Sequence, residues 1–380
     1  MNVQRYKTIA AKALALLGSS QLALFLVAMV ILFCLTAAMV PQEGQFLPSD
    51  ISQWQNKHPL LTSLFHPPGF FKIFHSTPFL LTIFLLAVNT LTCTLIRFFR
   101  LIHDQGFNAF RGLYGLRHIG FLILHLSLIL LFTGGALSAA FSLDGYIILT
   151  EGQWLPEKHT SYVRLVEGPL RGEKHTGFSL LLKKAWEEYQ NGYLVDRGAL
   201  VTLEDNSNQL KSSLIQINNP LIYQKKHITL DKVGYSPHIR IENRSNTEKL
   251  VDSFVALKIF DYGDSRVHSD FLPLPIFDEQ QQKMYLKIYP ASETNNNTSL
   301  LRVELEDNLL KKSQHAEIQL ANKIALGEYE IEFKGLRQWA SFRIMEDPGY
   351  GLVCLALWLG TFGVVVRYIP DLKKWFSKSG

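Results

Sequence analysis

Residue types able to do chemistry are sparse in the apolar parts of this chain, and the most informative is a buried histidine. His125 sits in Gly120-Phe-Leu-Ile-Leu-His-Leu-Ser-Leu-Ile-Leu-Leu131. An ionisable side chain at membrane depth is costly unless it faces protein or a ligand, which makes His125 a functional candidate by default. His118 lies seven residues earlier. On a helix it shares a face with His125, about 10 Å away along the axis. One helix therefore cannot set both on opposite faces of a single planar cofactor. If either ligates a haem iron, the second axial ligand must come from another helix or another protein. A plainer reading stays open, in which a neutral His125 hydrogen-bonds to a group such as Asn89 or Ser127. His118, beside Arg117, reads equally as an ordinary polar residue at the membrane interface.

Other reactive types carry less. The three cysteines, Cys34, Cys93 and Cys354, all lie in apolar runs, and there is no CxxC or CxxCH. That excludes a disulfide framework, a thioredoxin-like motif and a c-type haem attachment site. Cys93 reads as a small packing residue. Gly134-Gly135, Gly360 and Gly363 suit close helix approach. His58, His66 and His75, in the loop after the first apolar run, could present a cofactor, although loop histidines are usually solvated. His159, His175, His227, His238, His268 and His315 are scattered, none at metal-ligand spacing from another, and are expected as surface residues. HExxH, GxSxG, Walker and GxGxxG patterns are all missing, so hydrolase and nucleotide chemistry find no support.

The elements that must position these residues are apolar blocks. About 20 apolar residues cross a bilayer. Ser20 to Val40, Pro78 to Ile96, Ile119 to Leu143 and Pro348 to Val366 carry no permanent charge. Four transmembrane helices are expected. The first block is too long, and lacks the cleavage site, for a removed signal peptide. Net charge is +5, and the bases cluster beside the blocks, which points to membrane orientation rather than nucleic acid. Arg5, Lys7 and Lys12 precede the first block, Arg97, Arg100, Arg111 and Arg117 join the second to the third, and Arg367, Lys373, Lys374 and Lys378 follow the fourth. These flanks fall on one side if every block spans. The expectation is a multi-pass inner-membrane protein with both termini cytoplasmic and a large domain outside.

That domain has a different rhythm. Tyr146–Thr150, Ala199–Leu203, Ser213–Ile217, His238–Ile241, Leu301–Leu305 and Tyr329–Phe333 alternate apolar and polar residues, as half-buried strands do. Asp205-Asn-Ser-Asn208, Asn218-Asn-Pro220 and Asp261-Tyr-Gly-Asp264 read as turns, and Asn295–Asn297 as a loop tip. One weak helical segment is expected near Lys183 to Tyr189. The fold class is therefore membrane α-helical, with four transmembrane helices, plus a β-rich, sandwich-like extracytoplasmic domain. The organisation is 1–141 with three spans (about 20–40, 78–96 and 119–141), 142–347 as the β-rich domain, and 348–380 as the fourth span with a basic tail.

Several segments, taken in order, resemble one family. They are Val40-Pro-Gln42, Phe74-His-Ser76, Leu86-Ala-Val-Asn-Thr-Leu-Thr-Cys-Thr-Leu95, Arg117-His-Ile-Gly120 through Thr133-Gly-Gly-Ala-Leu137, Asp144-Gly-Tyr146, Leu149-Thr-Glu-Gly152, Phe178–Leu182 and Ile217-Asn-Asn-Pro-Leu221. Together they resemble the ResB (CcsB) family of System II cytochrome c biogenesis over nearly the full length. Trp186 departs from the acidic–aromatic pair expected there. The resemblance implies a subunit of a cytochrome c synthase that handles non-covalent haem b across the membrane. Its partners would be a CcsA (ResC)-type protein carrying a tryptophan-rich segment, apocytochrome c, and a thioredoxin-like thiol reductant. The six tryptophans here are dispersed, which makes this chain the partner half, and the thioether chemistry would belong to the partner rather than to this chain as an enzyme. The family's transmembrane histidine carries over to His125 as axial ligand of the haem iron. Arg117 is placed to pair with a propionate and His118 to lie beside the cofactor. The alternative is a membrane scaffold that chaperones apocytochrome c and CcsA without binding haem.

Overall fold

Apolar length and helix-capping residues account for the helical elements. The computed structural model describes residues 14–43, 48–67, 69–172, 175, 177–190, 193–205, 207–244, 248–262, 265–272, 282–290, 298–307 and 312–379. Arg5, Lys7, Lys12 and the Asn295–Asn297 run lie outside the described residues, as does much of Asp261–Asp264. The helices are α1 (Ser20–Met39), α2 (Pro48–Lys57), α3 (Pro59–Phe65), α4 (Thr77–Gln105), α5 (Gly112–Phe141) and α6 (Tyr350–Ser379). Ser19 and Ser76 cap α1 and α4, accepting hydrogen bonds from the Leu22 and Phe79 amides. Pro78 sits in the first turn of α4, where its missing donor costs nothing. Gly106 ends α4 at φ 60°, a conformation that favours glycine.

The segments Ser20–Met39, Thr77–Phe110, Gly112–Phe141 and Tyr350–Asp371 are each long and apolar enough to cross a membrane. The expected four-span layout is observed. Helices α4, α5 and α6 run beyond the apolar blocks, because helical hydrogen bonding continues until a breaker intervenes, whatever the hydropathy. Arg117 and His118 therefore stand on α5 itself, ahead of its apolar run.

Contacts divide the chain into two units, one of residues 1–139 with 348–380 and one of residues 140–347. In the helical unit α5 and α6 touch backbone to backbone. A Cβ added at Gly120 would lie 2.4 Å from the Arg367 amide nitrogen, and one at Gly349 2.0 Å from the Gly134 carbonyl oxygen. Gly363 faces Gly120, and Gly360 faces Ser127. The expected roles of Gly134, Gly360 and Gly363 in close approach hold, whereas Gly135 faces open space. Gly120→Val should wedge the helices apart and lower stability by about 1–3 kcal/mol. Thermal denaturation in mild detergent checks this, and an unchanged midpoint would refute the close contact.

After α1, Gln42 is buried and ties the chain together. Its amide donates to the Val40 and Phe70 carbonyls, and its oxygen accepts from the Ile73 amide. Val40, Ile51 and Phe71 close a small apolar cluster beside it.

The β-rich unit comprises, among the described residues, β1 (Leu143–Thr150), β2 (Trp154–Pro156), β3 (Arg164–Glu167), β4 (Ser179–Gln190), β5 (Tyr193–Glu204), β6 (Leu210–Gln216), β7 (Leu221–Tyr223), β8 (Lys226–Asn243), β9 (Lys249–Phe254), β10 (Lys258–Tyr262), β11 (Ser265–Leu272), β12 (Gln282–Tyr289), β13 (Leu300–Asp307), β14 (Lys312–Gln319), β15 (Lys323–Leu326) and β16 (Tyr329–Glu346). All pairings are antiparallel. A central sheet runs β3-β1-β16-β8-β7, with β15 and β9 added at its side. Strands β2-β4-β5-β6 form a second sheet and β10 to β14 a third.

The 18-residue strands β8 and β16 pair along most of their length, with register shifts at Phe333/Gly335 and Ser341/Phe342. Such bulges bend a strand pair. Each half of the pair serves a different core. Ile228, Val233, Phe342 and Ile344 pack with Leu180, Leu182 and Val201 of the β2–β6 sheet. Ile239, Ile241, Ile331 and Phe333 pack with Leu286, Leu301 and Val303 of the β10–β14 sheet. The expected sandwich is thus two sandwiches sharing one long central ribbon.

The helix expected near Lys183 to Tyr189 is instead part of β4. Leu180, Leu182 and Ala185 on this strand are fully buried, and Trp186 lies across Gly198 on β5, its indole N–H bonded to Asp196 at 2.8 Å. Cross-strand packing overrides the helical preference of a Lys/Ala/Glu-rich stretch.

Candidate functional site

Helix α5 presents two different faces. Gly120, Ser127 and Gly134 recur every seven residues and face α6. His118, Phe121 and His125 are turned away from that stripe, His125 by about 140° at 3.6 residues per turn. His125 and His118 are half-buried, whereas Phe121 is buried.

The imidazole of His125 is held within its own helix. Its Nδ1 lies 2.9 Å from the Phe121 carbonyl oxygen. A carbonyl only accepts, so Nδ1 donates and Nε2 carries the lone pair. Ring fixation by a backbone carbonyl is the arrangement that readies a histidine to ligate metal. The alternative partners are occupied elsewhere. The Asn89 amide donates to the Leu17 and Ser19 carbonyls, and Ser127 donates to the Leu124 carbonyl.

Around this imidazole three helices converge. The Phe121 ring lies 3.8 Å from the His125 ring, centroid to centroid. The Arg97 guanidinium of α4 sits 4.0 Å over the Phe121 ring, and that of Arg367 on α6 lies 5.9 Å from it. Such cation–π contacts hold guanidinium groups beside an aromatic face. Arg97 and Arg367 are residues that sequence reasoning used only as orientation markers. Their one local signal is position, each ending an apolar block; nothing in the spacing shows that they meet at Phe121.

Arg117 has another partner. It forms an ion pair with Asp371 of α6 and lies 5.8 Å from the Tyr114 ring. His118 stands about two turns before His125 on the same face. His58, the residue before α3, stacks on Trp54 at 4.9 Å, and His66 lies 6.3 Å from Phe71. Both belong to the packing of the loop. His75 ends a 3-10 turn.

A family model described as the ResB-like family matches residues 21–106 and 103–379. The chain belongs to the ResB-like family. Membership implies involvement in cytochrome c biogenesis, and the four spans make this ResB-like protein a membrane protein. No curated protein matches the chain.

Within this ResB-like chain, several segments that carried the resemblance do structural work. Asp144 accepts two hydrogen bonds from Arg343, each 2.8 Å, joining β1 to β16. Glu151 accepts from the Ala185 and Gln338 amides and so joins two sheets. Gly152 turns the chain at φ 85°. Asn218 also takes a positive φ, in the expected turn.

The histidines of the β-rich unit correct one expectation. His268 is buried beside Tyr235 rather than at the surface. His159 and His175, although far from ligand spacing in sequence, meet across Glu167. His227 and His315 are exposed, and His238 pairs with Asp252 at 2.9 Å.

Proposed function

We propose that this ResB-like protein is the partner half of a System II cytochrome c synthase, with His125 Nε2 as one axial ligand of a haem b in transit. The carrying observation is the His125–Phe121 unit, in which Nδ1–H is committed to a carbonyl and Nε2 is left with its lone pair on a half-buried face. Haem is flat and apolar, with two anionic propionates. The ring of Phe121 and the aliphatic face of α5 suit the macrocycle, and the guanidinium groups of Arg97 and Arg367 suit propionates. Arg117 is partly neutralised by Asp371, so Arg97 and Arg367 take precedence over it in this reading, and His118 lines the approach.

A haem supplies the iron and vinyl groups that become attached to apocytochrome c. This chain's residues bind and orient it: His125 donates a nitrogen, Phe121 fixes the imidazole plane, and the arginines hold the acidic edge. The second axial ligand and the attachment step belong to a CcsA-type partner, with a thioredoxin-like protein keeping the apocytochrome cysteines reduced. The meeting of Arg97 and Arg367 at Phe121 gathers basic flanks at one end of the helical unit. That supports cytoplasmic termini, an inner-membrane location and a periplasmic β-rich domain.

The test is co-purification of the chain with a CcsA-type protein, followed by absorption spectroscopy. A complex with a Soret band is expected. A colourless complex active in maturation would overturn the reading.

A further inference from the structure

The β-rich unit gathers His159, Glu167 and His175 beside a sealed charge. Glu157 and Lys226 are both buried and lie 2.7 Å apart. Glu157 also accepts from the Tyr162 hydroxyl at 2.7 Å and from His175 Nδ1 at 2.8 Å. Burial opposes its ionisation, yet the hydrogen bonds from Lys226, Tyr162 and His175 outweigh that and hold its pKa down at about 2. An ionised carboxylate only accepts, so His175 carries a proton on Nδ1, and in the neutral ring the lone pair is on Nε2.

That Nε2 is buried, has no hydrogen-bond partner among the described residues, and points towards Glu167 Oε1 at 4.0 Å. The separation is beyond hydrogen-bond reach. On the other side, His159 Nδ1 lies 3.4 Å from Glu167 Oε2. Ligand atoms of His159, Glu167 and His175 all fall within 4.8 Å of one another. Two ligands on a tetrahedral ion with bonds of about 2.1 Å stand ~3.4 Å apart, so the trio needs only small side-chain adjustments. A lone pair aimed at a carboxylate is an electrostatic mismatch that an interposed cation removes. The neighbouring charges allow it: Glu157, Glu167 and Glu346 outnumber Lys226 and Arg171 by one. Arg171 lies 3.3 Å from Glu167 but also binds Glu346 at 2.8 Å, which shares its charge.

We propose that His159, Glu167 and His175 form a site for a divalent transition-metal ion of the Zn2+ class. Two imidazoles and a carboxylate are a donor set suited to this ion, with a fourth position left for water. Glu157 acts on the site through His175, fixing the tautomer and ring plane as a carboxylate behind a metal-bound histidine does. The His159 side chain is 59% exposed, which gives the ion a path from solvent.

The test uses full-length protein in detergent, stripped with a chelator and titrated with Zn2+ against a chromophoric competitor. About one tight equivalent per chain is expected. His159→Ala and His175→Ala should each weaken it by at least tenfold, and His227→Ala, an exposed control outside the cluster, should leave it unchanged. His159 is largely solvated, so its replacement keeps the fold, which circular dichroism verifies. Equal Zn2+ binding by the wild type and both cluster variants would overturn the proposal. The outcome is independent of haem content, because His125 lies in the other unit.

Discussion

His125→Ala is expected to strip the membrane complex of its haem absorbance and of cytochrome c maturation together. Replacing only a group behind a metal ligand costs about 10–100-fold in affinity, so losing the ligand itself should lower haem retention by at least ~100-fold. Phe121 is untouched by the change, and so is the α5–α6 contact, which lies on the other face of the helix. Complex yield should therefore persist, separating loss of a ligand from loss of a fold. Added imidazole should restore part of the Soret band by filling the vacated space with the same nitrogen donor. Unchanged pigment and unchanged maturation would remove His125 as ligand. If maturation still required the β-rich unit, the scaffold alternative would then stand.

Lys226→Met is expected to destabilise the β-rich unit by about 3–5 kcal/mol, because it leaves the Glu157 carboxylate buried without its ammonium partner. Urea titration of the full chain in detergent, followed by tryptophan fluorescence, reads this through Trp154, Trp186 and Trp339, which all lie in that unit. A shift below about 1 kcal/mol would show that the pair is not sealed from water. The pH dependence has a definite sign. The folded pKa of Glu157 is about 2 against an ordinary 4.5, so the folded state binds its proton less readily than the unfolded state. The resulting stability is present in full above the ordinary value and drains away as pH falls towards about 2. In Lys226→Met that acid sensitivity should shrink, since the principal hydrogen bond holding the carboxyl ionised is gone. The variant should also loosen the Zn2+ site, because Glu157 and His175 would no longer be fixed.

Much of the molecule was legible from sequence, and the reason is locality. A bilayer sets the length of an apolar run, so Ser20 to Val40 and Ile119 to Leu143 declare themselves without reference to the rest of the chain. A pleat alternates its side chains, so Tyr146–Thr150 and Leu301–Leu305 read as strands on their own. His125 stood out because a polar ring in an apolar run is anomalous wherever the helix goes. Tertiary structure alone decided what meets what. The arrival of Arg97 and Arg367 at one aromatic ring, and the meeting of His159 with His175, join separate elements of the chain. No spacing rule encodes such pairs. The stretch Lys183–Tyr189 shows the same limit from the other direction. Its local preference was helical, but Gly198 opposite Trp186 and the buried Leu182 and Ala185 made it a strand, since packing free energy from non-local neighbours exceeds the fraction of a kcal/mol per residue that propensity supplies.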